Sequence, residues 1–291
     1  MLLLMLLLAA DPYQAADIPA TTASQVTHAT QAILAGDLSG AADELERVVK
    51  SYPEYFLAHY DLGLVYEKMD RLSESEQELQ RAKKLNDTLH LGEASVDASL
   101  GWVRFRTHDY ASARAETMKS VLSPNFFRLD TLTRRQVFNN LGTIYTSLRR
   151  PCQAQLYNEL GSRELQVPPN GGSSGLLGGW IVVSWAQPAD IGLRIQSETK
   201  LEGVLRIESE SGSANTLSEG TLTLCLGPHS TDRVVEELHI SQVGSHLDMT
   251  GTVIEGAKRW SNDRIRAGFD GVRITGTVDH AGDTMVFLKV L

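Results

Sequence analysis

The 291-residue sequence has little of what several classes of protein require. Its two cysteines, Cys152 and Cys225, are too few for a disulfide-stapled scaffold. Its net charge of −9 argues against a general nucleic-acid binder, because phosphate binding depends on clustered Lys and Arg. No apolar run reaches the ~20 residues of a membrane-spanning helix, which excludes a polytopic membrane protein. The remaining composition, 42% hydrophobic and 22% charged, is that of a globular chain, and its length predicts two domains.

The longest apolar run lies near the N-terminus, at Leu2–Ala10, and small and polar residues follow it. This order is typical of a secretory signal peptide, so we predict a signal peptide and flexible lead-in over residues 1–24. No Lys or Arg precedes the run and no clean cleavage site follows it, so a loose apolar tail or a misassigned start is the alternative. The signal peptide predicts a periplasmic or secreted protein of bacterial origin; the alternative predicts a cytoplasmic one.

Residues 25–166 carry apolar side chains at three- and four-residue spacing, which predicts amphipathic helices. One element recurs within them, a Leu-Gly pair at Leu62-Gly63, Leu100-Gly101 and Leu141-Gly142. A short polar turn and a second helical segment with an early small residue follow each pair. The stretch therefore consists of repeated helical pairs, and a single pair cannot bury its apolar face without a neighbour. A non-repeating helical bundle is the alternative.

This pattern resembles the tetratricopeptide repeat (TPR), a helix–turn–helix of 34 residues. The resemblance covers about half of the chain, although both intervals between the glycines exceed 34 residues. It implies a helical solenoid whose first helices line a concave groove for a partner peptide or helix. The matching positions are Ala41, Leu45 and Pro53; Leu62, Gly63, Tyr66, Leu79 and Ala82; Leu100, Gly101, Ala113 and Pro124; and Phe138, Leu141, Gly142, Tyr145 and Ala154.

The groove that the resemblance implies supplies the candidate binding residues. They are the side chains of each Leu-Gly helix that point away from the second helix of the pair. Aromatic and basic side chains among them have the composition of binding anchors. The alternative is that Tyr60 and Trp102 belong to the core between repeats, because groove and core aromatics have the same period. The predicted partner-binding residues are Tyr60, Leu64, Lys68, Trp102, Arg106, Asn139 and Thr143.

A Pro-, Gly- and Ser-rich segment at residues 167–179 predicts a linker, after which the apolar period changes to alternation. Residues 180–291 are therefore predicted to form an antiparallel barrel or sandwich, and the whole chain an α+β protein of two domains. The predicted strands are Trp180–Trp185, Ile191–Ile195, Val204–Ile207, Leu222–Leu226, Val234–Ile240, Leu247–Val253, Val272–Val278 and Met285–Val290.

Gly178-Gly179-Trp180 at the start of this half is similar to the G-x-W element of lipocalin-type barrels. That resemblance implies a pocket for a small apolar ligand. An interior filled by side chains is the alternative, because an eight-stranded barrel is only just wide enough for either.

Motifs for catalysis are absent from the sequence. Gly171–Gly175 matches G-x-S-x-G, but a helix precedes it, whereas a nucleophile elbow needs a strand-to-helix turn. The histidines lack ligand-like spacing, so we predict no metal and no cofactor. Because Cys152 and Cys225 fall in different predicted domains, we expect no disulfide between them. Cys152, in the first turn of a helix, is expected to be a buried small residue or a reactive thiol.

These patterns predict a non-catalytic adaptor that binds a protein or peptide partner. It is expected to bind no nucleic acid and to have no integral membrane span. The alternative is a carrier of a small apolar ligand in the β half.

Overall fold

The computed structural model of the chain describes residues 18–162, 178–185, 201–211, 216–226, 233–255, 258–271, 273–278 and 284–289. Four predictions fall outside the described residues: the signal peptide, nearly all of the linker, the strand Ile191–Ile195 and the motif Gly171–Gly175. The linker boundary between the domains therefore stays a prediction.

The first half of the chain is helical, as its period predicts. Within the described residues, three of the helices begin at an aspartate, Asp37, Asp109 and Asp130. The carboxylate of each accepts a hydrogen bond from the backbone N–H three residues further on, which satisfies a free donor of the first turn. The α-helices are α1 (Ala20–Ala35), α2 (Leu38–Ser51), α3 (Phe56–Lys68), α4 (Leu72–Thr88), α5 (Ala94–Arg106), α6 (Tyr110–Leu122), α7 (Thr131–Ser147) and α8 (Pro151–Ser162).

One turn geometry recurs between the helices of each pair. A residue with positive φ ends α1, α3, α5 and α7, at Gly36, Asp70, His108 and Arg149 respectively, and another, His90, ends α4 between two pairs. The N–H of that residue and the next N–H bond to carbonyls three and five residues back, the pattern of a Schellman motif. This recurrence confirms the helical repeat, and it gives the chain a TPR-like architecture in its helical half.

Glycines allow the two helices of a pair to approach closely. A Cβ on Gly63 would lie 2.7 Å from Cγ of Leu79 in α4. A Cβ on Gly101 would lie 3.0 Å from the carbonyl oxygen of Ala113 in α6. Both distances are shorter than normal contacts, so the glycine of the Leu-Gly element is needed for helix packing.

The internal contacts divide the chain into two compact units, Met1–Asn125 and Phe126–Leu291. In the described residues, the first unit holds α1–α6, and the second holds α7, α8 and the strands. None of the described helices combines the length and the apolar character that crossing a membrane requires.

The strands form a closed antiparallel barrel in which each strand pairs with the next and β1 pairs with β8. Every strand contributes inward side chains to one apolar cluster, among them Trp180, Leu222, Leu224 and Phe287. The barrel confirms the predicted α+β architecture and decides between barrel and sandwich. The strands are β1 (Gly178–Trp185), β2 (Leu201–Ser211), β3 (Thr216–Leu226), β4 (Arg233–Val243), β5 (His246–Glu255), β6 (Lys258–Phe269), β7 (Arg273–Val278) and β8 (Thr284–Lys289).

Strand β6 is absent from the sequence prediction. Its sequence, KRWSNDRIRAGF, is dense in charge and hides the alternation. The structure shows why it is a strand nonetheless. Ile265 and Ala267 belong to the inner cluster, whereas Arg264 and Arg266 are exposed on the outer face.

The two cysteines form a disulfide, which corrects the sequence prediction. Cys152 of α8 and Cys225 of β3 are bonded, 73 residues apart in the chain, and both are buried. The prediction was wrong because it placed the two cysteines in separate domains. In the structure, α8 belongs to the same compact unit as the barrel and contacts β2. Cys152 is therefore not a reactive thiol.

Candidate functional site

A stripe of solvent-accessible side chains runs along α3. It consists of Leu57, Asp61, Leu64 and Lys68, at the i, i+4, i+7 and i+11 positions that share one helix face. Lys68 is exposed and the other three are half-buried, whereas most of the remaining helix is buried. The stripe is therefore the most accessible side of α3, although its two leucines, Leu57 and Leu64, also pack against the apolar core of the first unit. We call it the α3 stripe.

Helix α1 borders the α3 stripe on one side. The Thr30 hydroxyl of α1 donates a hydrogen bond of 3.0 Å to Oδ2 of Asp61. One helical turn further along the same face of α1, the side chain of Leu34 is 59% exposed. Desolvation raises the pKa of Asp61 to about 7, although the bond from Thr30 acts in the opposite direction.

Helix α5 borders the stripe on the other side through Trp102 and Arg106. The indole Nε1 of Trp102 donates to Oε1 of Glu67 over 3.2 Å, and Nη1 of Arg106 donates to the same oxygen over 2.7 Å. Arg106 also pairs with Asp70. The Trp102 ring stacks on Phe105, with ring centroids 5.0 Å apart. As the spacing predicts, the two side chains share one face, and the structure brings them together on α3.

Tyr60 lies in the core between α3 and α5. It is 9% exposed, and its ring stacks on Phe56 at 5.9 Å between centroids. Its hydroxyl lies 3.3 Å from that of Ser99 on α5, at hydrogen-bond distance, and burial raises its pKa. This placement favours the core alternative for Tyr60. Trp102, by contrast, is half-buried.

Asn139 and Thr143 lie on α7, in the second compact unit. Both are exposed. The Asn139 side chain lies against the position that a Cβ on Gly161 of α8 would occupy. The Thr143 hydroxyl donates to the Asn139 carbonyl over 3.0 Å. The candidate surface on α1, α3 and α5 belongs to the first unit and does not include these two residues.

The candidate groove is thus formed by Leu34 on α1, the α3 stripe, and Trp102 and Arg106 on α5. Of the residues predicted from the sequence, it contains Leu64, Lys68, Trp102 and Arg106. Sequence analysis missed Leu34, Leu57 and Asp61. The helical period could have indicated Leu57 and Asp61, because they precede Leu64 by seven and three positions and therefore lie on the same helix face.

A second polar cluster of the first unit lies between α4, α5 and α6. The carboxylate of Glu116 accepts from Arg104 over 3.0 Å and from Lys119 over 3.2 Å, and Lys83 lies 3.4 Å away. Burial would raise the pKa of Glu116, but these three cations hold it below its ordinary value. Lys83 also pairs with Asp97. Because cations surround the acids, this cluster is suited to holding helices together.

The second unit has a buried polar contact between the helices and the barrel. The hydroxyls of Tyr145 and Tyr157 both donate to Oε2 of Glu202 on β2, over 2.6 and 3.4 Å. The two rings stack at 5.4 Å between centroids. Arg233 on β4 pairs with Glu159 on α8 at 3.1 Å. Together with the disulfide, these contacts hold α7 and α8 against the barrel. Nothing in the sequence pattern singled out Glu202.

Among the described residues, no group of three or more His, Cys, Asp or Glu side chains is placed to hold a metal ion.

Comparison with known proteins finds likenesses among solved structures. No family model matches the sequence, and none of the curated proteins matches it. A chain from the solved structure titled "Functional Characterization of Pseudomonas Aeruginosa pilF" is similar over 48% of this chain, with 18% identity and a TM-score of 0.42. The matched region spans 59% of the length of that chain.

Proposed function

We propose that this protein is a non-catalytic adaptor whose candidate groove binds an apolar peptide or helix of a partner protein. The observation that carries the proposal is the α3 stripe. Leu57 and Leu64 are only partly buried on a helix whose other residues are mostly buried. Leu34, one helical turn along α1 from the Thr30 that bonds to the stripe, is 59% exposed. Clustered accessible apolar side chains with polar neighbours are typical of protein-binding surfaces.

The two cations at one end of the groove fit the same function. Lys68 and Arg106 lie in the last turns of α3 and α5. Arg106 and Trp102 are held in place by Glu67, so a partner would meet a partly ordered surface. A surface ordered before binding loses less side-chain entropy when the complex forms.

We propose a structural role for the barrel in preference to ligand carriage. Its inward-facing side chains pack on each other in one cluster that includes Trp180, Met249 and Phe287, each fully buried. Large side chains in the interior favour the filled barrel over a ligand pocket. The lipocalin resemblance of the sequence stays a prediction.

We also propose that the protein is exported, to the periplasm or the cell exterior. The disulfide between Cys152 and Cys225 supports export, because disulfides form and persist in oxidising compartments. The apolar run Leu2–Ala10 agrees with this proposal. Mass spectrometry of the protein from its native cells, after alkylation of free thiols without reduction, tests it. Two unmodified cysteines are expected, and two alkylated cysteines would contradict it.

Site-specific photo-crosslinking tests the adaptor function. A photoreactive phenylalanine analogue at Leu64 should give a crosslinked product of defined mass in the native cells. The matched control places the same group at Arg81 on α4, whose side chain is 62% exposed outside the groove and should give no such product. The substitution Leu64→Lys should prevent crosslinking from a second groove position, Leu34.

The adaptor function is refuted if Leu64 and Arg81 give the same products, because the groove would then have no partner of its own. It is also refuted if the product from Leu34 is unchanged by Leu64→Lys, because an apolar partner should not tolerate a cation at that position.

A further inference from the structure

Asp61 is a groove carboxylate that pairs with no cation in the part of the chain that the structure describes. Among the described residues, the side chain of Asp61 has the Thr30 hydroxyl as its hydrogen-bond partner, at 3.0 Å, and no Lys, Arg or His in ion-pair range. The acids at the other end of the groove differ. Glu67 is 2.7 Å from Arg106, and Asp70 pairs with the same guanidinium.

The surroundings of Asp61 make its ionised form costly. It lies between Leu57 and Leu64 on the α3 stripe and is half-buried. Among the described residues no cation acts on its pKa: desolvation raises that pKa, and the hydrogen bond from the neutral Thr30 of α1 lowers it. A carboxylate in a partly apolar setting is stabilised by a cation that arrives with a ligand.

We propose that the partner segment carries a Lys or Arg that pairs with Asp61, flanked by apolar residues that cover Leu57 and Leu64. This inference rests on the proposed adaptor function and specifies its partner. The recognised segment would be an amphipathic helix with one basic residue on its apolar face, three or four positions from an apolar residue on either side. Arg or Lys would satisfy the oxygen of Asp61 that Thr30 leaves open.

The test is a selection from a displayed library of helical peptides. Each peptide carries leucines on one face, and the central position of that face is varied among Lys, Arg, Gln, Glu and Leu. The full chain and its Asp61→Asn variant are used as bait. We expect Lys and Arg to be enriched on the natural chain and not on the variant. A selected Lys peptide should bind Asp61→Asn about tenfold more weakly, as loss of a partly buried ion pair predicts.

Two controls separate charge from folding. Asp43→Asn removes the same charge from an exposed position on α2, outside the groove, and should leave the affinity unchanged. Circular dichroism should show the same helix content for both variants. With the natural chain, the Lys peptide should bind more tightly at about pH 8 than at about pH 6, because the proton on Asp61 must leave before the pair forms. The Asp61→Asn variant should lose this difference.

The outcomes distinguish this inference from the function on which it rests. Selected peptides that lack basic enrichment, but lose affinity on Leu64→Lys, would overturn the Asp61 pairing and support the groove. Selected peptides that are insensitive to Leu64→Lys would overturn both. Equal affinity for the natural chain and Asp61→Asn would overturn the pairing alone.

Discussion

The substitution Trp102→Ala distinguishes a groove residue from a core residue, and the structure predicts an intermediate cost. The indole is half-buried, donates one hydrogen bond to Glu67 and stacks on Phe105. The stack is worth ~0.5–1.5 kcal/mol and the hydrogen bond ~1 kcal/mol, since water reaches both partners. We therefore expect the free energy of unfolding to fall by about 2 kcal/mol. Tyr60→Ala, at a fully packed position, should cost ~3–5 kcal/mol.

Urea denaturation of the full chain, followed by far-UV circular dichroism, measures both costs in the helical signal. Glu67→Met, which removes the acceptor oxygen at similar side-chain length, is the matched control for the hydrogen bond. In a double-mutant cycle with Trp102→Phe, it should show a coupling energy of ~1 kcal/mol. A loss for Trp102→Ala as large as that for Tyr60→Ala would show that Trp102 is a core residue. A loss below ~0.5 kcal/mol would show that the contacts with Glu67 and Phe105 do not hold the ring.

Three further changes test other parts of the structure. Because the pKa of Asp61 is raised to about 7 in the fold, the free energy of unfolding should fall as pH rises from about 4 to about 7. In urea titrations, Asp61→Asn should remove that slope and raise the free energy of unfolding at about pH 8 by up to about 2 kcal/mol. An unchanged slope would show that the charge of Asp61 is not desolvated. In thermal melts, Gly101→Ala should cost ~1–3 kcal/mol of stability through its clash with α6. The control Gly268→Ala, whose new Cβ has no atom within 4 Å, should cost less than ~0.5 kcal/mol. Equal costs would refute the helix contact. Replacing Cys152 and Cys225 by Ser should cost about 4 kcal/mol for a loop closed over 73 residues, and a reductant should destabilise the natural chain but not the double variant.

The repeat was predictable because it rests on local patterns. The Leu-Gly elements marked α3, α5 and α7 correctly, since a glycine at a helix contact leaves a distinct signal. The turns were harder to predict. Gly36 is the usual residue for a positive φ, but Asp70, His108 and Arg149 occupy the equivalent positions. Asp, His and Arg adopt a positive φ far less often than glycine does, so propensity alone does not predict these three turns.

The site was predictable only in part, because accessibility depends on packing between helices. The period placed Tyr60 and Leu64 on neighbouring positions of α3, yet the structure buries Tyr60 and leaves Leu64 accessible. Asp61 lacked any distinguishing sequence signal beyond its spacing. The disulfide and the contact of Glu202 were missed for a related reason. Both depend on α8 packing against the barrel, a long-range contact that no local pattern encodes.

The central claim is that the groove of the first unit binds a partner helix. Hydrogen–deuterium exchange of the full chain, with and without a saturating selected peptide, tests it most directly. We expect slower exchange in Phe56–Lys68 and Ala94–Arg106 when the peptide is bound, with no change in the strands of the barrel. Slower exchange confined to the barrel strands, with α3 and α5 unchanged, would contradict this claim.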